Sequence, residues 1–540
     1  MVLCFRETCA YPGHQCHKPT PPQAARDGMA RGGGFSKPQR STSMVLGDGG
    51  GKGSSLAIAD SPYSAGRQPL NPPVTKPSYG IGVSGWGSQG NKAKEMTTPE
   101  LIRPSPGNPS RQSEPQTAMF NLLATIVGGG VLSLPYAFRL TGVLTGIVLI
   151  ALAAVAGDFS LYMLCSCARR TGQITYVEVG QAAFGEPGAI VTTSVLMAMT
   201  IFVTIAYMVL VRDIWSGIVE SVIGETLDSD QSNRVLFVAL LLVFPACLAK
   251  DLHALRHFCY VGFFSALVLT AAIGYRSVEA NQEDPTAKLG LKLNADSWGD
   301  IMDAFPIFCL SFQCHFNILS VHSHFVNPTR ERLKGLLHGT MGLTSGLYIV
   351  LALCGYLYAY EDTKDDILLN FAPSDRVMIV GRVGMGLTML VAITILVLPC
   401  RDIVFLVMDS VAEKLQGRCA GGKEYLPVDG SGEVVTTPGG TMVTKTRAFF
   451  LAVRHVGTTV AIMGFSLFCA LSVPGVGVVW SICGSSVGFM ICYLLPGVFY
   501  LKIRWHKQFN IRKAGAFVVV VVSSLAIVIC TRHAVLQAMQ

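Results

Sequence analysis

The chain of 540 residues is short of charge: 14% of its residues are Asp, Glu, Lys or Arg, while 50% are hydrophobic. A typical soluble domain carries about 25% charged residues. Too little charge is present to coat the three or four soluble domains that this length would otherwise make, so a soluble multidomain enzyme is excluded. The sequence also lacks an acceptor for N-glycosylation, because Asn108 and Asn327, the two asparagines placed two residues before Ser or Thr, are each followed by proline. No basic-then-apolar leader opens it, so the first apolar helix is expected to insert the chain. Its 56 glycines follow no three-residue period, which excludes a collagen-like fibre. The acidic stretches 213–233, 276–300 and 361–375 hold none of the 16 cysteines. Most of the others sit in apolar runs, where Cys behaves as a small hydrophobe, and no disulfide framework is implied. Neither HExxH nor a Walker A string occurs, so hydrolytic chemistry and catalytic residues are not expected.

What is present divides the chain in two. Residues 1–116 hold 15 of the 27 prolines, 17 of the 56 glycines and 13 Lys or Arg against seven Asp or Glu. Such a segment buries too little apolar surface to offset its ordering entropy and reads as a disordered cytosolic tail. Cys9, His14, Cys16 and His17 match no zinc spacing, so no metal site is expected. From 117 to 531 the chain is a train of apolar runs, each near the roughly 20 residues that cross a bilayer. Helices are expected at about 117–138, 141–167, 188–211, 234–249, 255–275, 301–326, 336–360, 377–400, 448–473, 474–501 and 514–531, with 532–540 a short tail. The pattern Ile174 to Gly185 predicts a further short helix lying at the cytosolic interface.

The net charge of +8 does not point to nucleic acid, because the tail supplies most of it and the other basic residues cluster between apolar runs. With the N-terminus inside, cytosolic connections collect 18 Lys or Arg and exterior ones eight. That bias places the N-terminus in the cytosol and the C-terminus outside. Asp158, Arg382 and Arg454 are charges set within the runs. Both arginines are near enough to a span end to snorkel to the interface. Arg401-Asp402 reads as a local charge pair that gates or anchors the inner end of the eighth run.

Two runs carry breaks. The first contains Gly128, Gly129 and Gly130, followed by Pro135. Each glycine costs about 1 kcal/mol in a helix relative to Ala. Unpaired backbone in lipid persists where it lines a cavity; the alternative is a small-residue packing face. The sixth run begins near Pro306 and places Ser311, Gln313, His315 and Asn317 at its centre. Polar groups at that depth face a cavity or a partner, although His315 alone is equally a core histidine bonded to a carbonyl. Runs one and six lie five apart, and an odd repeat returns inverted, the pattern of an inverted-repeat secondary transporter with its substrate at the midplane. Half-helix amides around Gly129, Gly130 and Val131 suit a carboxylate. Carbonyls near Thr125 and Ser311 suit an ammonium group, with His315 and Asn317 lining a side-chain pocket. The expected substrate is therefore a zwitterion such as an amino acid. A cytosolic tail on such a body leaves a second reading, an amino acid sensor that signals through the tail.

The strings NLLATIVGGGVLSLPYAFRLTG, TYVEVGQAAFGEPG, SFQCHFNILSVHSHFVNPTRERL, GYLYAYEDTKDDILLNF, LPCRDIVF and GSSVGFMICYLLPGVFYL follow one another over about 117–531. In that order they resemble the amino acid/auxin permease family, which includes the sodium-coupled neutral amino acid transporters. The resemblance implies an all-α, leucine-transporter-like bundle of eleven helices with five-plus-five inverted repeats and helices 1 and 6 interrupted. It implies ion-coupled amino acid symport by alternating access, by a monomeric transport unit in a plasma, vacuolar or lysosomal membrane. No cofactor is implied beyond the coupling ion, H+ or Na+. At the coupling site Asn121 is retained, but Ala124 and Ala392 stand where sodium-coupled relatives have Asn and Thr. Thr388 and Thr394, a turn or less away, are the hydroxyls placed to substitute.

Overall fold

The computed structural model describes residues 111, 113–249, 258–283, 290–419 and 441–539. Most of the expected tail, with Cys9, His14, Cys16 and His17, lies outside the described residues. The chain is all-α. Among the described residues ten helices are long and apolar enough to cross a membrane, or eleven when the bent pair Pro115–Ile126 and Gly129–Thr141 counts as one span. The spans, numbered in chain order, are that pair (span 1), Val143–Thr171, Glu186–Ile223, Ser229–Cys247 and Phe258–Glu283. Span 6 is Trp298–Ser311 with His315–His324. Arg330–Ala359, Arg376–Cys419, Thr441–Ser472, the segmented stretch 476–503 and Ile511–Ala538 complete the series.

Several helices outrun their apolar runs, span 3 reaching 38 residues and span 8 reaching 44. Nothing in the hydropathy marks such ends; caps do. Span 3 stops where Gly224 turns left-handed (φ 81°) and returns its N–H to Glu220. Gly142 (φ 72°) joins spans 1 and 2 beneath the 292–294 loop, and a Cβ there would lie 2.6 Å from the Asn294 nitrogen. The loop in turn accepts the first amides of span 2, Val143 N–H on Lys292 O at 3.0 Å and Leu144 N–H on Leu293 O at 2.8 Å. The short helix Tyr176–Phe184 forms behind a reciprocal Thr175–Glu178 cap. Tyr176 reaches from it into the bundle, donating its hydroxyl to Ile491 O of span 10 at 2.7 Å.

Burial sorts the spans. In span 6, 83% of the most apolar window is buried inside the protein, against 17% in span 11 and 22% in span 4. The outer spans present Leu242, Phe468 and Val528 outward, as a lipid-facing surface requires. Span 10 is irregular in its middle, with π-helical turns at Gly484–Gly488 and Met490–Leu494. A Cβ on Gly484 would lie 2.6 Å from Pro306 O, so the glycine lets span 10 close onto span 6. Ahead of span 1, Ser113 pairs as a β-bridge with Phe325, just past the end of span 6. Arg111 donates there to His322 O at 3.0 Å and Phe325 O at 3.1 Å.

Candidate transport site

Span 1 stops being helical at Ile126. Val127 and Gly128 are extended, a 3-10 stretch runs Gly129–Ser133, and the α-helix resumes at Leu134 with Pro135 in its first turn. The two halves meet at 57°. Span 6 stops at Ser311 and restarts at His315. Its break holds neither glycine nor proline, and Pro306 sits inside an unbroken helix. Each break leaves carbonyls at the end of one half-helix and amides at the start of the next without intrahelical partners.

The structure brings the two breaks together. Asn317 Nδ2 donates to Thr125 Oγ1 at 3.0 Å, and Thr125 donates to Asn121 O at 2.8 Å. From span 7 the hydroxyl of Tyr348 donates to Ile126 O at 3.0 Å and Ser311 O at 2.9 Å, the last carbonyls of the two first halves. Gly129 is clamped: a Cβ there would meet Tyr207 of span 3 at 2.7 Å, Leu210 at 2.8 Å and the Met389 sulfur of span 8 at 3.1 Å. Gly130 is not clamped: the nearest atom to its would-be Cβ is Ser311 Oγ at 3.9 Å, an ordinary van der Waals contact. Around the junction, Ser133 Oγ, Gln313 Nε2 and Asn317 Oδ1 are buried polar atoms without a hydrogen-bond partner.

The remaining sequence-derived residues are placed elsewhere. His315 is buried with Nε2 3.2 Å from Ser160 Oγ of span 2, and its ring lies against Tyr493 of span 10 at 6.4 Å. Thr388 donates to Gly384 O at 2.7 Å, and its methyl fills the gap left by Gly262 of span 5. Thr394 lies 3.7 Å from the Cys247 sulfur at the end of span 4. Asp158 meets His338 of span 7 at 2.9 Å. Among the described residues, no group of three or more His, Cys, Asp or Glu is placed to hold a metal ion. The string Gly484–Gly488 has the spacing Gly-x-Ser-x-Gly. It is π-helical within span 10, Ser486 donates back to Ile482 O, and the strand-to-helix elbow that exposes a nucleophile is absent there.

Two charge expectations are corrected. Arg382 does not snorkel. Its buried guanidinium donates to four carbonyls of the loop after span 7, those of Leu368, Phe371, Ala372 and Pro373, at 2.7–3.2 Å. The loop folds back over it and engages both terminal nitrogens. Nor does Arg401 pair with Asp402: it donates to Cys247 O at 2.9 Å and Ala249 O at 3.2 Å, capping the carbonyl end of span 4. Arg454 does reach the protein edge, where it pairs with Asp409 and lies 4.5 Å over Phe405.

Tyr207, Tyr348 and Met389 escape sequence reasoning, since each lies in a continuous apolar run with no local mark. A buried tyrosine must place its hydroxyl somewhere, and for Tyr348 that is the one usable hint.

The family model described as transmembrane amino acid transporter protein matches residues 111–536. Human solute carrier family 38 member 10 is 22% identical over 396 residues, covering 72% of this chain and 32% of that protein. The chain thus matches only about a third of that relative's length. Vacuolar amino acid transporter 5 of Saccharomyces cerevisiae is 24% identical over 415 residues, covering 72% of this chain and 89% of that protein. Among solved structures, MhsT in complex with L-phenylalanine is 12% identical with a TM-score of 0.40, covering 77% of this chain and 98% of that one. Mhp1, a nucleobase-cation-symport-1 family transporter, is 13% identical with a TM-score of 0.45, covering 81% and 94%. On the match over residues 111–536, the chain belongs to the transmembrane amino acid transporter protein family.

Proposed function

We propose that the chain is a secondary active amino acid transporter that holds its substrate between the breaks of spans 1 and 6 and works by alternating access. The observation that carries the reading is the meeting of those breaks, tied by Asn317 to Thr125 and by Tyr348 to Ile126 and Ser311. Amides heading the second half of span 1, around Gly128, Gly129 and Gly130, would receive the carboxylate. Carbonyls ending the first halves, beside Thr125 and Ser311, would receive the ammonium group. Asn317 would form the flank that meets the substrate side chain, with His315 behind it on Ser160 and Tyr493.

The coupling ion in this reading is the proton. A hard cation needs several oxygens converging on it. Against Gly129 span 8 presents the sulfur of Met389, while Thr388 and Thr394 turn towards spans 5 and 4 and Asn121 O is taken by the Thr125 hydroxyl. The N-terminus lies in the cytosol, following the distribution of Lys and Arg, and a plasma or vacuolar-type membrane is the setting. The test is uptake of labelled amino acids by the purified chain in proteoliposomes, with inward proton and sodium gradients imposed in turn. Accumulation driven by protons and abolished by a protonophore is the expected result. Binding without accumulation under either gradient refutes transport; accumulation driven by sodium alone refutes proton coupling.

A further inference from the structure

The loop between spans 7 and 8 carries a carboxyl group that the substrate site does not use. Asp366 is fully buried. Its Oδ1 accepts the Leu368 N–H at 3.0 Å, while Oδ2 is buried with no hydrogen-bond partner. Three charged groups face it. Asp213 approaches from span 3, where it is paired with Arg212 at 3.0 Å. Asp365, its neighbour, accepts the Gly477 N–H of span 10 on Oδ2 at 2.9 Å. Arg382 of span 8 is the one cation, and its guanidinium is committed to the four loop carbonyls. The 3-10 stretch of span 1, Gly129–Ser133, contributes no titratable side chain.

The position matters because of what the loop touches. The 3-10 turn Ile367–Asn370, which Asp366 caps, packs on Gly129–Ser133 and on span 3. Arg139 of span 1 holds the loop's other end through Thr363 O at 2.9 Å. In the proposed topology this is the extracytosolic face, so the turn closes the broken span from outside.

We propose that Asp366 is a proton-binding site of the extracytosolic gate, protonated when the 367–370 turn is seated on span 1 and released when the turn lifts. This rests on the proton-coupled reading above. A carboxylate with one orphaned oxygen, two further carboxylates nearby and a fully engaged arginine is costly to ionise in place, whereas a carboxylic acid is not. Burial first, and then Asp213, push the Asp366 carboxyl up to about 8 in the seated state. In a lifted, hydrated turn it returns to the ordinary range near 4. The seated state is the one with the raised value. Its advantage is complete below the ordinary value and shrinks through the interval as pH rises, until it is lost above about 8. Within that window the seated-to-lifted ratio falls by up to about tenfold per pH unit.

The experiment places a reporter beneath the turn. Ser133→Cys in the full chain, reconstituted in liposomes, is labelled from outside with a membrane-impermeant maleimide at pH 5 to 9. Rates are divided by those of the same cysteine in an Asp366→Asn background, which removes the intrinsic pH dependence of the thiol. The ratio is expected to climb steeply between pH 5 and 8 and then to level off. Asp213→Asn should move the transition to lower pH, and Asp366→Glu should restore a titration. A ratio flat across the range, with Asp213→Asn without effect, overturns the site. Labelling needs no transport, so the two readings fail separately. Labelling that follows pH in a chain that accumulates nothing supports the site and sinks the transport reading. Uptake by Asp366→Asn that keeps the wild-type dependence on external pH overturns the site.

Discussion

Gly129 and Gly130 are adjacent, yet the structure sets them in opposite surroundings, and their alanine variants should separate. Neither glycine needs a left-handed backbone, so alanine suits both conformations, and the loss of unfolded-state freedom stabilises each variant by about 0.4–1 kcal/mol. At 129 the new methyl must displace the Tyr207 ring at 2.7 Å, Leu210 at 2.8 Å and the Met389 sulfur at 3.1 Å. Leucine and methionine ends can move, but the Tyr207 ring is buried and held edge-on by Trp480. Overpacking of this kind costs about 1–3 kcal/mol. Gly129→Ala should therefore lose about 1–2 kcal/mol net, lowering the melting temperature in detergent by a few degrees. At 130 the methyl meets nothing closer than Ser311 Oγ at 3.9 Å. Gly130→Ala should melt at or above the wild-type temperature but bind labelled amino acid at least about tenfold more weakly, because the methyl occupies the gap between the breaks. Thermal melts followed by size-exclusion chromatography, with scintillation-proximity binding on the same preparations, read both quantities. A Gly129→Ala chain as stable as wild type, or a Gly130→Ala chain that loses as much stability, would show that the clamp has been misread.

Three further outcomes follow from single contacts. Tyr348→Phe leaves the carbonyls of Ile126 and Ser311 without their shared donor, and at about 1–3 kcal/mol for such a loss it should weaken substrate binding about tenfold in equilibrium binding. Unaltered affinity and melting would remove Tyr348 from the site. Arg382→Lys offers one compact ammonium where four loop carbonyls were engaged, so it should cost about 2 kcal/mol or more and make the 363–371 segment exchange amide hydrogen faster. Exchange at the wild-type rate would contradict the anchoring role. Asn317→Ala breaks the tie to Thr125 and should reduce binding while Thr125→Ala in the same background adds little further loss, a coupling that a double-mutant cycle measures. Fully additive losses would show that the pair acts as two separate groups.

Much of this architecture is legible in the sequence for a simple reason: lipid imposes one rule, apolar length, and the rule is written residue by residue. The break of span 1 is equally local, since Gly128 to Gly130 and Pro135 weaken a helix wherever they occur. The break of span 6 is legible only as polarity. Phe312, Gln313 and Cys314 have no intrinsic need to leave the helix, and Pro306, at the head of the run, stays within it. What meets the helix there is span 1, through Thr125, and Tyr348, on Ser311 O. The surroundings of Arg382 are hidden from the sequence on the same ground. Counting positions to the membrane edge finds a route for snorkelling, but nothing near residue 382 reveals that the 368–373 loop returns to wrap it. The close approach of Gly484 to Pro306, and the clamp on Gly129 by residues some 80 and 260 positions away, likewise join residues far apart in sequence.

A phenol carries one hydrogen, and Tyr348 has two carbonyls to offer it to. Whichever helix end receives it, the other is left with a lone pair facing a low-dielectric interior. The junction is thus one donor short by construction, and the shortfall can change sides without any backbone moving. A guest that brings its own N–H groups and a positive charge removes the competition and lets both helix ends be satisfied at once. Selectivity for an ammonium group over a neutral molecule of the same shape would then follow from a count of hydrogens, before any side chain of the guest is recognised.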